Sequence, residues 1–173
     1  MIEKTDKKPE GPGPGDQAPD FSLPDWKGET VNLNDSNGRW LVLYFYPRDS
    51  TSGCTKEAQD FTDLLPEFRK EGAEVIGISP DSPDSHRRFR EKHGLSVTLL
   101  SDEGRKTLKN FGAWGAKKIY GKETRGVIRS TFLIDPEGVI ARVWRNVRVR
   151  SKSAGKEVRH ADEVLEQLIK SKV

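Results

Sequence analysis

Residues 40–46, Trp-Leu-Val-Leu-Tyr-Phe-Tyr, form an unbroken apolar run of seven residues that Pro47 stops. A short run without polar alternation reads as a strand buried on both faces, the place of a central strand in a covered sheet. A polar turn follows. Beyond it, apolar residues recur at Ala58, Phe61, Leu65 and Phe68, the 3.6-residue period of a helix with one buried face. Pro66 is expected to kink or end that helix, and Gly72 to close the segment. Ala73–Ser79 is a second apolar run, read as the next strand. The unit over about 40–79 should therefore be a right-handed crossover between parallel strands.

The rest of the chain fits around this unit. Phe21, Leu23, Trp26, Val31 and Leu33, broken by Lys27-Gly28-Glu29, read as an N-terminal β-hairpin with one buried face. Ser82-Pro83 marks a helix start, and Gly94 ends that polar helix after His93. Val97–Leu100 reads as a short strand, residues 103–111 as a short helix, and 112–129 as a long Gly- and Lys-rich loop carrying Trp114 and Tyr120. Ser130–Ile134 and Val139–Trp144 read as antiparallel strands around the turn Asp135-Pro136-Glu137-Gly138. Ala161, Val164, Leu165, Leu168 and Ile169 give a C-terminal helix one apolar face. Alternating strands and helices imply an α/β fold with a central mixed sheet flanked by helices. Residues 1–17, rich in Lys, Glu, Gly and Pro, read as a flexible tail ahead of a single domain over 18–173.

Composition excludes several classes. The net charge of +3 is the difference between 30 basic and 27 acidic residues, so the charges are interspersed. Arg142, Arg145, Arg148, Arg150 and Lys152 read as a solvated edge and loop, and no nucleic-acid role is expected. No apolar run approaches a membrane span. The first residues lack the apolar core of a secretory signal, so none is expected. The chain has one cysteine, which excludes an internal disulfide and fits a reducing cytoplasm. His86, His93 and His160 lack ligand-like spacing, read as surface residues, and call for no metal or cofactor.

Cys54 stands where the strand-turn-helix unit begins its helix, at residues 42–61. A thiol there faces the positive end of the helix dipole and unpaired backbone N–H groups, both of which favour the nucleophilic thiolate. Gly53 lets the backbone approach a ligand closely. Thr51 stands where a redox Cys-x-x-Cys would carry its first cysteine, so dithiol exchange within that motif is impossible and the thiol must react with something external.

Pro47-Arg48-Asp49-Ser50-Thr51-Ser52-Gly53-Cys54 matches the Pro-x-x-x-Thr-x-x-Cys signature, and with it the chain resembles the peroxiredoxins. The longer run from Tyr44 to Ala58 resembles the bacterioferritin comigratory protein, or peroxiredoxin Q, subfamily. Ala18-Pro19-Asp20-Phe21, Val75–Ser79, Leu99–Asp102, Gly112–Gly115 and Ile128–Asp135 match in order, so the resemblance covers about residues 18–170. It implies a thioredoxin-like fold and a thiol peroxidase of antioxidant defence acting on hydrogen peroxide and organic hydroperoxides through a Cys54 sulfenic acid. It assigns Thr51 and backbone N–H groups to the reacting oxygens and Arg129 to the thiolate and peroxide. Pro47 shields the pocket. Glu57 either holds Arg129 or serves only as a first-turn dipole partner, and Trp114 either lines the pocket or packs the loop.

The chain departs from the subfamily where many members carry a resolving cysteine, five residues after the reactive one. Gln59 stands there, and no other cysteine exists. The sulfenic acid then needs an external thiol, from thioredoxin, glutaredoxin or a small molecule, in a one-cysteine cycle. Ser52 replaces the proline often found before the Gly-Cys pair. The resemblance implies a monomer. Two rivals are a redox sensor that keeps the fold and a holdase that does not need Cys54.

Overall fold

The structure is a computed structural model, and it describes residues 11–173. At its centre is a five-stranded mixed sheet in the order β5-β4-β3-β8-β9. The middle strand is β3, Trp40–Phe45. It runs parallel to β4, Ala73–Ser79, which in turn pairs in parallel with β5, Thr98–Ser101. On its other side it pairs antiparallel with β8, Ser130–Ile134, which pairs with the edge strand β9, Ile140–Arg145.

The apolar run of β3 divides by parity, as side-chain alternation requires. Val42, Tyr44 and Tyr46 enter one cluster, with Phe61, Leu65 and Phe68 of helix α1 (Ser52–Lys70), Phe89 of α2 (Pro83–His93), and Val164 and Leu168 of α4 (His160–Ser171). Leu41, Leu43 and Phe45 enter the opposite cluster with Phe111, Phe132 and Leu108 of the short helix α3 (Lys106–Asn110). The N-terminal hairpin of β1, Ser22–Pro24, and β2, Thr30–Asn32, packs Leu23 and Val31 against this second face. Gly77 of β4 pairs with Tyr44, and a Cβ at Gly77 would lie 2.6 Å from the Tyr44 ring. No side chain other than hydrogen fits there.

Five expectations need correction. Pro66 does not end α1, which continues to Lys70. The buried stripe Ala58–Phe61–Leu65–Phe68 packs on both sides of the proline and outweighs the one lost backbone bond, while Pro66 itself faces outward. Residues 112–129 are not a loop. They contain the hairpin β6, Trp114–Ile119, and β7, Lys122–Val127. A further hairpin, β10 (Arg150–Ser153) with β11 (Lys156–Arg159), follows β9.

The fourth correction concerns the tail. Residues 1–10 lie outside the described residues. Residues 11–17 run along β9: the Gly15 N–H donates to the Ile140 carbonyl at 2.8 Å, and the Ile140 N–H donates to the Asp16 carbonyl at 2.9 Å. An edge strand offers unpaired backbone groups, and this segment occupies them. Gly11 (φ +103°) passes so close to Phe111 that a Cβ would meet its carbonyl oxygen at 2.7 Å.

The fifth concerns the polar side chains. His86 and His160 are buried, and His93 is half-buried with its ring edge-on to Phe89. The basic stretch is also more engaged than a solvated edge. Arg150 grips the buried Asp60 of α1 at 2.6 Å, Arg145 donates to the carbonyls of Phe111, Gly112 and Pro12, and Arg142 donates to Gln167. These arginines are used to fasten the hairpins and the N-terminal segment.

Candidate active site

The turn between β3 and α1 brings Cys54 into the first turn of the helix, with Thr51 as the extended residue before it (φ −82°, ψ 154°). Cys54 is buried, at 1% exposure. The first backbone N–H groups of a helix have no partner within it, so those of Ser52, Gly53 and Cys54 are available at this end.

Arg129 reaches the site from the segment between β7 and β8. One guanidinium nitrogen, Nη2, donates to Cys54 Sγ at 3.2 Å, and the other, Nη1, donates to Glu57 Oε1 at 2.5 Å. Cys54 and Glu57 lie one turn apart on α1, so they share a face and a single planar fork spans both. Of the expected site residues, the structure brings these three into direct contact.

The charges respond to their surroundings. Glu57 is 1% exposed, and burial pushes its carboxyl up to about 7 while the Arg129 charge pulls against that shift. Its second oxygen, Oε2, has no hydrogen-bond partner among the described residues. Burial also opposes the Arg129 charge, but Glu57 and the Cys54 sulfur outweigh it and hold the guanidinium above its ordinary range. Tyr44 packs beside this group. Burial first, then the nearby Glu57 and Cys54, push its phenol well above the ordinary value, so it stays uncharged.

The remaining expected residues are placed as follows. The Thr51 hydroxyl donates to the Arg48 carbonyl at 2.9 Å, which closes the turn, and it makes no hydrogen bond to the sulfur. Pro47 is half-buried at the end of β3. A Cβ at Gly53 would lie 3.5 Å from Arg129 Nη2, an ordinary contact, so glycine there leaves open the space over the guanidinium. Trp114 packs in the second apolar cluster with the Arg105 guanidinium over its ring, 4.9 Å from the centroid. That placement favours packing of the β6–β7 hairpin over pocket lining.

Sequence reasoning passed over two neighbours of the site. His160 stands 2.9 Å from the Thr131 hydroxyl, and burial, with repulsion from Arg129, lowers its ring to about 4. Asp49 and His86 form a buried cluster with Tyr46, Ser85 and Asp81 just ahead of Cys54. In this cluster Asp49, Asp81 and His86 place one ligand-type atom each within 4.8 Å of one another. The only signal in sequence was the Asp49 of the signature itself. A groove of about 550 Å³ between Gly11–Pro14 and Arg145 involves none of the expected site residues.

Comparison with known proteins shows the family. Residues 14–143 match the AhpC/TSA family. Peroxiredoxin Bcp of Bacillus subtilis is 49% identical over 140 residues, covering 81% of this chain and 89% of that protein. A structure of the Xanthomonas campestris bacterioferritin comigratory protein, solved in connection with its alkyl peroxide reduction activity, superimposes with a TM-score of 0.78. The two are 43% identical, with coverage of 87% of this chain and 91% of the other. PrxQ from Xylella fastidiosa gives a TM-score of 0.83 at 36% identity, covering 92% and 97% of the two chains.

Proposed function

We propose, for a chain that belongs to the AhpC/TSA family in its Bcp/peroxiredoxin Q branch and is a peroxidase, that Cys54 reduces hydrogen peroxide and organic hydroperoxides in a one-cysteine cycle. The observation that carries the reading is the Arg129 fork, which bonds the sulfur at 3.2 Å from the side opposite its Glu57 anchor. A guanidinium donates best to an anionic acceptor, so this contact suits the thiolate.

The Cys54 thiolate attacks the terminal peroxide oxygen. The S–O bond forms as the O–O bond breaks, and the departing oxygen takes a proton to leave as water or an alcohol. Negative charge moves from sulfur to that oxygen. The Arg129 guanidinium and the free N–H groups of the first α1 turn supply positive charge along this path without reorganising. The oxygen left on sulfur, once protonated, is a sulfenic acid.

With a single cysteine in the chain, resolution falls to an external thiol. It displaces water to give a mixed disulfide with Cys54, and a second thiol then releases Cys54 and leaves as part of a disulfide. Thioredoxin, glutaredoxin and a small thiol all satisfy this chemistry. The lone cysteine is consistent with a reducing cytoplasm, and no helix of the described residues is long and apolar enough to cross a membrane. Among the described residues, the exposed large apolar side chains are Tyr120, Ile169 and Val173, too few and scattered for an apolar interface, which favours a monomer.

Peroxide consumption with each thiol in turn tests the cycle. Turnover should need the thiol and vanish in Cys54→Ser. Turnover that survives Cys54→Ser would sink the reading.

A further inference from the structure

Asp49 fastens the loop that delivers Cys54 to Arg129 to three other elements of the fold. Its backbone N–H donates to Asp81 Oδ2 at 2.8 Å, and Asp81 in turn accepts from the Ser79 hydroxyl at 2.7 Å. Its carboxylate accepts from the Tyr46 hydroxyl at 2.7 Å and from the Ser85 hydroxyl at 2.7 Å. Asp49 therefore ties the turn to the end of β3, to the loop after β4 and to the first turn of α2. The next residue, Ser50, adopts φ +64°, a left-handed backbone that a side-chain-bearing residue holds only when its surroundings impose it.

The fourth partner is His86, fully buried on α2. Its Nε2 lies 3.1 Å from the Leu100 carbonyl, which can only accept, so Nε2 carries a proton. Its Nδ1 lies 2.7 Å from Asp49 Oδ2. A bare nitrogen lone pair cannot face a carboxylate oxygen at that distance, and both Asp49 oxygens are already acceptors of hydroxyl protons. A second proton therefore sits between Nδ1 and Oδ2. The pair holds one proton more than a neutral imidazole beside a free carboxylate would, and it contributes no net charge to the interior.

We propose that Asp49 and His86 are positioning residues of the peroxide reaction: a proton-bridged pair that fixes the Pro47–Thr51 turn and so sets the Cys54 sulfur against Arg129. The inference rests on the reading of Cys54 as the reacting sulfur. Neither residue touches that sulfur in the structure. Their effect passes through the turn, where a displacement of about 1 Å is enough to cost orders of magnitude in rate.

Two measurements test it. Nitrogen-detected NMR of the wild-type His86 side chain should show a strongly hydrogen-bonded proton at Nδ1 facing Asp49 as well as the proton at Nε2. Stopped-flow reaction of reduced protein with stoichiometric hydrogen peroxide, well below each variant's melting temperature, should be at least ~10-fold slower for Asp49→Ala. Asp49→Asn should regain most of the rate, because its amide can donate to a neutral Nδ1 while its oxygen still accepts from Tyr46. An unprotonated Nδ1 in the wild type overturns the proposal, and that readout stands even if a variant fails to fold. So does an Asp49→Ala protein that melts earlier yet reacts at the wild-type rate, or an Asn variant as slow as the Ala variant. A wild type that reacts no faster than a free thiol sinks the function reading itself.

Discussion

Replacing Arg129 by Met separates what this side chain does for the sulfur from what it does for the fold. Arg129 makes two bonds, one to Cys54 Sγ at 3.2 Å and one to Glu57, which is 1% exposed. Hydrogen bonds to charged groups contribute about 1.5–3 kcal/mol. If the sulfur bond persists into the transition state, its loss should slow peroxide reaction by about 10- to 150-fold. The second bond governs stability. Arg129→Met leaves Glu57 buried without its partner, and breaking such a pair costs about 3–5 kcal/mol. The lower end applies, because a carboxyl already near 7 becomes neutral readily. Adding Glu57→Gln removes the stranded charge. The double variant should therefore recover most of the stability in urea denaturation and none of the rate in stopped flow. A double variant that regains wild-type reactivity would refute the idea that Arg129 acts on the sulfur directly.

Three further outcomes follow from the interior. His160 titrates near 4 when folded against 6.5 ordinarily, so the unfolded chain takes up a proton that the folded chain refuses, and stability falls as pH drops from 6.5 towards 4. Glu57 is raised from 4.5 to about 7, so the folded chain keeps a proton the unfolded one releases, and stability falls as pH rises through that window. The two trends oppose each other between 4.5 and 6.5. Relative to wild type, Glu57→Gln should lose on the order of 2–3 kcal/mol more on acidification across that interval, and equal slopes in denaturant titrations would contradict this. Gly77→Ala places a Cβ 2.6 Å from the fully buried Tyr44 ring and should cost about 1–3 kcal/mol; an unchanged melting temperature would show that the β3–β4 contact is looser than described. Pro66→Ala restores a helix N–H on an exposed face and should raise stability by about 2 kcal/mol, whereas a lowered melting point would mean the proline is favoured by its surroundings.

The parts legible in sequence were those with a strong period or a forced backbone. The Trp40–Tyr46 run named the central strand because a short apolar run stopped by a proline fits a strand covered on both faces. Ser82-Pro83 and Gly94 bounded α2 because each supplies a group that the helix end needs. Cys54, Arg129 and Glu57 were named before their contact was visible, Cys54 from its place at a helix start, Arg129 and its pairing with Glu57 chiefly through the family resemblance. The β6–β7 hairpin was missed because its strand residues, Lys117, Lys118, Lys122, Glu123 and Arg125 among them, carry no apolar alternation. Its strands are paired in register from Trp114–Val127 out to Ile119–Lys122, a pairing that no apolar pattern announces. The β10–β11 hairpin is fastened by the Arg150–Asp60 ion pair, a contact between residues 90 positions apart that no local pattern announces. His86 and His160 read as surface residues because burial of a histidine depends on partners from other elements, here Asp49 with Leu100 and Thr131.

In the proposed cycle Cys54 gains one oxygen from peroxide and loses it as water when an external thiol attacks the sulfur. Mass spectrometry of the intact protein, quenched with a sulfenic-acid trap after one equivalent of hydrogen peroxide, tests it directly. A Cys54 adduct should form well before a free small thiol reacts, and a mixed disulfide should replace it when thiol is present. A Cys54 that stays unmodified while the peroxide persists would contradict it.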